Sequence, residues 1–276
     1  MIKSSKELEI LGNYKAEYVK TDSEVLNDLL DGGLKTDNLI VIQAPTGVGK
    51  TTVMLRLAIR ALIAQKKVMY YSCGEQSAEE LKTKMICMLA SVPFKGYGKL
   101  DYTEEEYDKI IKTTAEFADK LENLYFGYCD NDCEAKDFDD AVQKGVSYIF
   151  IDYIGSCLAE TMESQYSFMT RMASTAYRFA VNNHVCIVTA MQTNRALKAE
   201  LKNSNLDIDT IDETFMADSV GPARKASVCI SLFEYNGHKY MVVYKNRSNG
   251  KLGHACIDFE PNTYKWVEMF DPKHGF

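Results

Sequence analysis

The chain has 276 residues, 46% hydrophobic and 26% charged, the proportions expected of a soluble globular protein with a sizeable core. No apolar run approaches the roughly 20 residues that cross a bilayer, and Met1-Ile2-Lys3-Ser4-Ser5 lacks the apolar stretch of a secretory signal, so a cytoplasmic protein with no membrane partner is expected. A formal charge of −7 excludes a surface that coats nucleic acid generally, and any such contact has to be local, on a few loops.

Residues 1–20 are polar, with weak helical periodicity at Leu8, Ile10, Leu11 and Tyr14, and read as an N-terminal arm or linker helix ahead of a single domain over 21–276. Ser23 can cap a short helix that Gly32-Gly33 ends. The apolar run Leu39-Ile40-Val41-Ile42 then reads as a buried parallel strand, and Thr52 to Ala58 as a helix. Between them lies Ala44-Pro45-Thr46-Gly47-Val48-Gly49-Lys50-Thr51, which fits the Walker A pattern with Ala44 at the usual first glycine.

That placement has a physical meaning. Gly47 and Gly49 let the backbone curl so that its N–H groups converge on phosphate oxygens, and the following helix N-terminus favours anions. Pro45, Thr46, Gly47, Val48, Gly49, Lys50, Thr51 and Thr52 are therefore the candidate nucleotide cradle, with Lys50 neutralising the β- and γ-phosphates and Thr51 holding Mg²⁺.

Val68 to Ser72 is a second strand, and Cys73-Gly74-Glu75-Gln76 leaves it. Ser77 and Glu80 predict a capping box for the next helix. Glu75 thus falls at a strand exit just before a helix, where open α/β sheets collect ligands. Residues 94–123 carry a second capping box, Thr103 with Glu106, and read as helical decoration. Leu124 to Tyr128 is a third strand, and a short helix near Phe138–Val142 ends at Gly145. Eight cysteines include one close pair, Cys129 and Cys133, with no second pair at metal-ligand spacing, so reduced thiols are a simpler account than zinc.

Val146 to Tyr153 is β-rich and apolar and reaches Asp152, the Walker B pattern, with Asp152 placed to hold Mg²⁺ through water. A polar loop at 155–165 precedes an amphipathic helix through Met169, Met172, Ala173, Ala176 and Ala180. Val185 to Ala190 is the next strand, Met191-Gln192-Thr193-Asn194-Arg195 its exit, and 196–218 reads as one long polar loop. The end is antiparallel: Val228–Phe233 meets Tyr240–Tyr244 across Asn236-Gly237, and His254–Phe259 and Tyr264–Val267 complete a meander. The expected fold class is α/β, with a mainly parallel central sheet, helices on both faces and a C-terminal antiparallel extension, and read together the pieces resemble a RecA-like P-loop NTPase.

The ordered set of motifs resembles the C-terminal motor domain of DnaB-like replicative helicases from about residue 20 onward. The resemblance is carried by Leu29-Leu30-Asp31-Gly32-Gly33-Leu34, Tyr70-Tyr71-Ser72-Cys73-Gly74-Glu75-Gln76-Ser77-Ala78-Glu79-Glu80-Leu81, Ile151-Asp152-Tyr153-Ile154, Met191-Gln192-Thr193-Asn194-Arg195, Met216-Ala217-Asp218-Ser219 and Lys245-Asn246-Arg247-Ser248-Asn249-Gly250. It implies ATP and Mg²⁺ as cofactors, Glu75 as the general base, and Gln192 as a γ-phosphate sensor. It also implies that Arg247, with Lys245 beside it, is an arginine finger for the nucleotide of a neighbouring subunit.

The implied assembly is a self-associated ring, most simply a hexamer, moving on single-stranded DNA. Loops 155–165 and 196–218 would face its channel, and Arg195, Lys198, Lys202, Arg224 and Lys225 would contact phosphates. Departures exist: few residues precede the motor where the family carries a collar that engages primase, Ala217 stands where arginine is frequent, and Lys225-Ala226-Ser227 where Asp-Ala-Asp is. A phage-encoded member acting in the host cytoplasm, with primase or a separate collar or loader protein as partner, fits these departures. The rival readings are a RecA, RadA or KaiC-type recombination or switch ATPase, and a nucleotide-gated assembly scaffold that turns over little.

Overall fold

The computed structural model describes residues 15–74, 76–99, 101–128, 135–152, 164–203, 205–216 and 220–269. Glu75, the Cys129/Cys133 pair, loop residues 155–163 and Ala217 to Ser219 fall outside them. In chain order the elements are β1 (Tyr18–Val19), α1 (Glu24–Leu29), β2 (Leu34–Lys35), β3 (Leu39–Ala44), α2 (Lys50–Ile63), β4 (Val68–Ser72), α3 (Ala78–Ala90), α4 (Glu104–Glu116), α5 (Ala118–Leu121), β5 (Leu124–Tyr128) and α6 (Ala135–Gln143). There follow β6 (Tyr148–Asp152), α7 (Gln165–Asn183), β7 (Cys186–Gln192), α8 (Arg195–Glu200), α9 (Gly221–Lys225), β8 (Val228–Tyr235), β9 (His238–Asn246), β10 (Gly253–Phe259) and β11 (Trp266–Glu268).

One nine-stranded sheet runs β11-β10-β9-β8-β3-β7-β6-β4-β5. Its β5 to β8 part is parallel, and β8 to β11 are joined antiparallel. This is the mixed sheet expected from the sequence. Strand β3 lies in the parallel part with neighbours on both edges, and helices cover both its faces, so Leu39 to Ile42 is continuously apolar rather than alternating. Ile40, Ile42 and Ala44 pack with α2, whereas Leu39 and Val41 pack with α7 and α9. A third cluster, Leu197, Leu206, Ile208 and Ile211 against Phe233, Tyr240 and Val242, lies under the C-terminal hairpin.

Several local expectations need correction. Tyr18–Val19 do not extend a linker helix; they form a strand paired antiparallel with β2. Gly33, at φ +118°, permits that pairing, because a Cβ there would meet the Val19 carbonyl oxygen at 2.2 Å. Segment 196–218 is not one long loop. It holds the end of α8 and two 3₁₀ turns, Ile208–Thr210 and Glu213–Phe215, pinned by buried isoleucines and by a His254–Asp209 contact of 2.8 Å. The sparse apolar positions of that segment hid its packing.

The two capping boxes differ. Thr103 and Glu106 make the full reciprocal pair. Ser77 accepts from the Glu80 N–H, but the Glu80 carboxylate takes Gln76 Nε2 at 2.6 Å instead of reaching back. No residue of α4 is buried, in keeping with a decorating role.

Candidate nucleotide-binding site

Strand β3 delivers the loop 45–49 at the C-terminal edge of the parallel sheet, and α2 leaves from it. Gly47 has φ +87° with nothing within 4 Å of where a Cβ would lie, and Gly49 caps α2 at φ +109° without any side chain satisfying the helix N–H groups. Thr46 and Gly47 are exposed, and Val48, Gly49, Lys50, Thr51 and Thr52 are partly buried, while Pro45 packs inside. An uncapped start to a fourteen-residue helix, facing open space, has the geometry and field that suit an anion.

Asp152 ends β6 in the same edge and is only 6% exposed. Its Oδ2 accepts a 3.0 Å hydrogen bond from the hydroxyl of fully buried Tyr70, whose ring stacks on Phe150. Its Oδ1 has no hydrogen-bond partner. A buried carboxylate oxygen with nothing to accept from is costly unless a cation or its water completes it. The donor set, a threonine at the helix start and a carboxylate oxygen left open, therefore fits Mg²⁺ with phosphate. The Cys73 N–H donates to the Asp152 carbonyl at 3.0 Å, so the exit of β4, from which Glu75 follows, is tied to the exit of β6.

Gln192 is paired with Ala44 across β3 and β7, beside the first residue of the loop. The next residues tie this edge to the 212–216 segment. Thr193 bridges Met216, and the Asn194 N–H donates to the Phe215 carbonyl at 2.8 Å. Asn194 Nδ2 donates to Thr214 at 2.8 Å while its Oδ1 caps α8. Fully buried Gln43 adds a strut, donating to the Asp212 carbonyl at 2.8 Å and to Ser231. A pocket of about 170 Å³ opens beside Thr51 and Thr52, with Lys84, Phe94, Asn262 and Tyr264 on its other walls.

Arg247 lies elsewhere. Its N–H donates to Ser227, and the Ser227 N–H to Leu39, at the edge where β3 begins. At about 3.3 Å per strand residue, that edge is ~17 Å from the loop where β3 ends. The Arg247 guanidinium donates to the Arg224 carbonyl at 2.7 Å, and the Lys245 ammonium to the carbonyls of Ala223 and Arg224. Desolvation there lowers the Lys245 pKa from its ordinary value, and Cys229 beside it is pushed up to about 12 by burial.

The five candidate nucleic-acid residues divide in the same way. Arg195, Lys198 and Lys202 follow the exit of β7 at the loop edge, whereas Arg224 and Lys225 precede β8 at the opposite one. All five are exposed. Tyr70, Gln43 and the Phe94–Tyr264 pocket were not singled out by sequence; within an apolar strand a tyrosine reads as core. Among the described residues no group of three or more histidine, cysteine and carboxylate side chains could hold a metal, and the described cysteines are buried. No described helix is long and apolar enough to cross a membrane.

Cradle, carboxylate and sheet topology together define a RecA-like P-loop nucleotide-binding domain. The family model of the DnaB-like helicase C-terminal domain matches residues 19–268, and the chain belongs to that family. One solved structure, an ATPase domain, superposes with a TM-score of 0.76 at 16% identity, over 92% of this chain and 93% of that one. A DnaB-like replicative helicase, solved in a study of its interactions with primase, superposes at 0.74 and 16% identity, over 91% of this chain and 62% of that one. DNA repair protein RadA of Streptococcus pyogenes is 32% identical over 77 residues, 28% of this chain and 17% of RadA. RadA of Campylobacter jejuni is 37% identical over 73 residues, 26% of this chain and 16% of its own length. The match thus spans under a fifth of the RadA proteins.

Proposed function

We propose that this chain is a motor that hydrolyses Mg-ATP at the interfaces of a homo-oligomeric ring, a hexamer in the simplest case, and moves along single-stranded DNA during replication. The observation that carries the reading is the separation within one chain. The phosphate cradle and open carboxylate lie at one edge of the sheet, and Arg247 lies ~17 Å away at the other. A guanidinium so placed cannot reach its own nucleotide, and it suits the charge that develops on a neighbour's γ-phosphate.

Within a site, Lys50 and the α2 N–H groups hold the phosphates, and Thr51 and Asp152 hold the metal, directly and through water. Mg²⁺ held by Thr51 and Asp152 would supply charge neutralisation to the bound phosphates. Glu75 accepts the proton of the attacking water. Gln192, next to the cradle, passes the state of the site through Thr193 and Asn194 to α8 and the 212–216 segment, where Arg195, Lys198 and Lys202 would meet DNA phosphates. The Phe94–Tyr264 pocket is where the nucleoside of a cradle-bound nucleotide would project. A protein of the primase or loader class is the expected partner, and a cytoplasmic location goes with these roles.

The test is ATP turnover with and without single-stranded DNA, across protein concentration, for the unaltered chain, Glu75→Ala and Arg247→Ala. Turnover should rise with DNA and more than linearly with concentration, and fall by about 10³-fold or more in both variants. Turnover that ignores DNA and survives Arg247→Ala would leave the scaffold or switch reading in its place.

A further inference from the structure

Arg247 does not stand alone. A cleft of about 480 Å³ is lined by Arg247, Arg224 and Lys225 together with Ser174, Tyr177 and Arg178 of α7. Helix α7 runs down the sheet face from the exit of β6 to the start of β7, and α9 packs along it. This brings Arg178, near the lower end of α7, level with Arg224 and Lys225 at the end of α9.

Four cations thus share one cleft of a chain whose net charge is −7. Among the described residues the cleft walls carry no carboxylate, and none of the four cations has one within ion-pair distance, although Glu213 acts on Lys245 behind the wall. Like charges gathered without counter-charge raise the local potential and oppose folding unless an anion uses them. Their backbone contacts are also ordered: Arg178 Nε donates to Ser174 at 3.3 Å, and Arg247 and Lys245 both bind the end of α9. With its ammonium on two carbonyls, Lys245 holds the wall on which Arg224 and Arg247 sit.

We propose that Arg178 and Arg224 join Arg247 in a single cleft that receives the triphosphate of a nucleotide bound to the P-loop of a second copy of this chain. The proposal rests on reading Arg247 as a finger and extends it. Three forked guanidiniums can chelate oxygens along a polyphosphate, as point charges cannot. This assigns Arg224 to nucleotide rather than to DNA. Such a cleft also explains why Arg224 and Lys225 lie at the opposite edge of the sheet from Arg195, Lys198 and Lys202.

The test uses the full chain and ATP turnover at saturating single-stranded DNA for Arg178→Gln, Arg224→Gln, the double variant and Arg247→Ala. Matched melting curves exclude misfolding, and Arg178→Lys and Arg224→Lys retain charge but not the fork. Each glutamine variant should raise the KM for ATP about 10-fold, with little change in kcat, the loss expected of one charge-assisted contact. Mixing the double variant with Lys50→Ala should bring the KM for ATP back toward normal, because an interface pairing the intact cleft of one with the intact P-loop of the other is complete.

If Arg247→Ala abolishes turnover while the glutamine variants keep the normal KM, the cleft proposal falls and the finger reading stands. If Arg247→Ala has no effect, both fall. If the glutamine variants keep their KM but lose affinity for DNA without nucleotide, the cleft is a nucleic-acid surface and the proposal is overturned.

Discussion

Replacing Tyr70 with phenylalanine isolates the hydrogen bond that orients Asp152. The ring is fully buried and stacked on Phe150 at 6.1 Å, so packing is retained and only the hydroxyl is lost. Asp152 then keeps its 6% exposure with neither carboxylate oxygen paired, because Oδ1 already has no partner. A buried hydrogen bond to a charged group is worth about 1.5–3 kcal/mol. For a domain of this size that loss lowers Tm by about 3–5 °C. The freed carboxylate also loses its fixed orientation, so the Mg²⁺ concentration for half-maximal turnover should rise about 10- to 100-fold.

Tyr148→Phe is the control, since Tyr148 is equally buried but donates to the Leu34 carbonyl at 3.2 Å. It should cost about 1 kcal/mol and leave the Mg²⁺ dependence alone. Urea denaturation and Mg²⁺ titration of turnover read both effects. A Tyr70→Phe protein with unaltered Mg²⁺ dependence would refute the orienting role.

Asp22→Ala should destabilise by about 3–5 kcal/mol in urea, because it strands the guanidinium of Arg56; Asp22 is 1% exposed in its side chain and sits 2.5 Å from Arg56, itself 9% exposed. A loss below about 1 kcal/mol would mean that Arg56 finds water. Gly33→Ala should prevent β1 from pairing with β2, given the 2.2 Å approach to Val19 and the positive φ, and a melting curve matching the parent's would contradict that. Cys229, raised to about 12 from an ordinary 9.0, and Cys186, raised further by burial, should resist alkylation at pH 8 until unfolded, as peptide-resolved mass spectrometry would reveal. The sign for stability follows: above pH 9 only the unfolded chain ionises these thiols, so stability should fall as pH rises from 9 toward 12.

Much was legible from local pattern. The loop between β3 and α2, the strand ending in Asp152 and the Asn236-Gly237 hairpin are contiguous, and their chemistry needs no distant partner to be recognised. Turn glycines and apolar runs encode them directly. The 196–218 segment misled, because its isoleucines are too sparse to show a period and are ordered only by the hairpin above them. The arm before residue 20 misled similarly, its strand existing only because Gly33 lets β2 approach.

What the sequence by itself determined is therefore the parallel core and the glycine-bearing loop that joins β3 to α2, since both follow from residue spacing along one stretch of chain. Tertiary structure alone decided which charges share a space. Arg178, Arg224 and Arg247 come from three separate segments, and nothing in their spacing marks them as neighbours. They meet because α7 descends one face of the sheet, α9 packs against it, and β9 returns antiparallel to the same edge. Long-range packing sets that convergence, and a local reading of sequence contains no term for it.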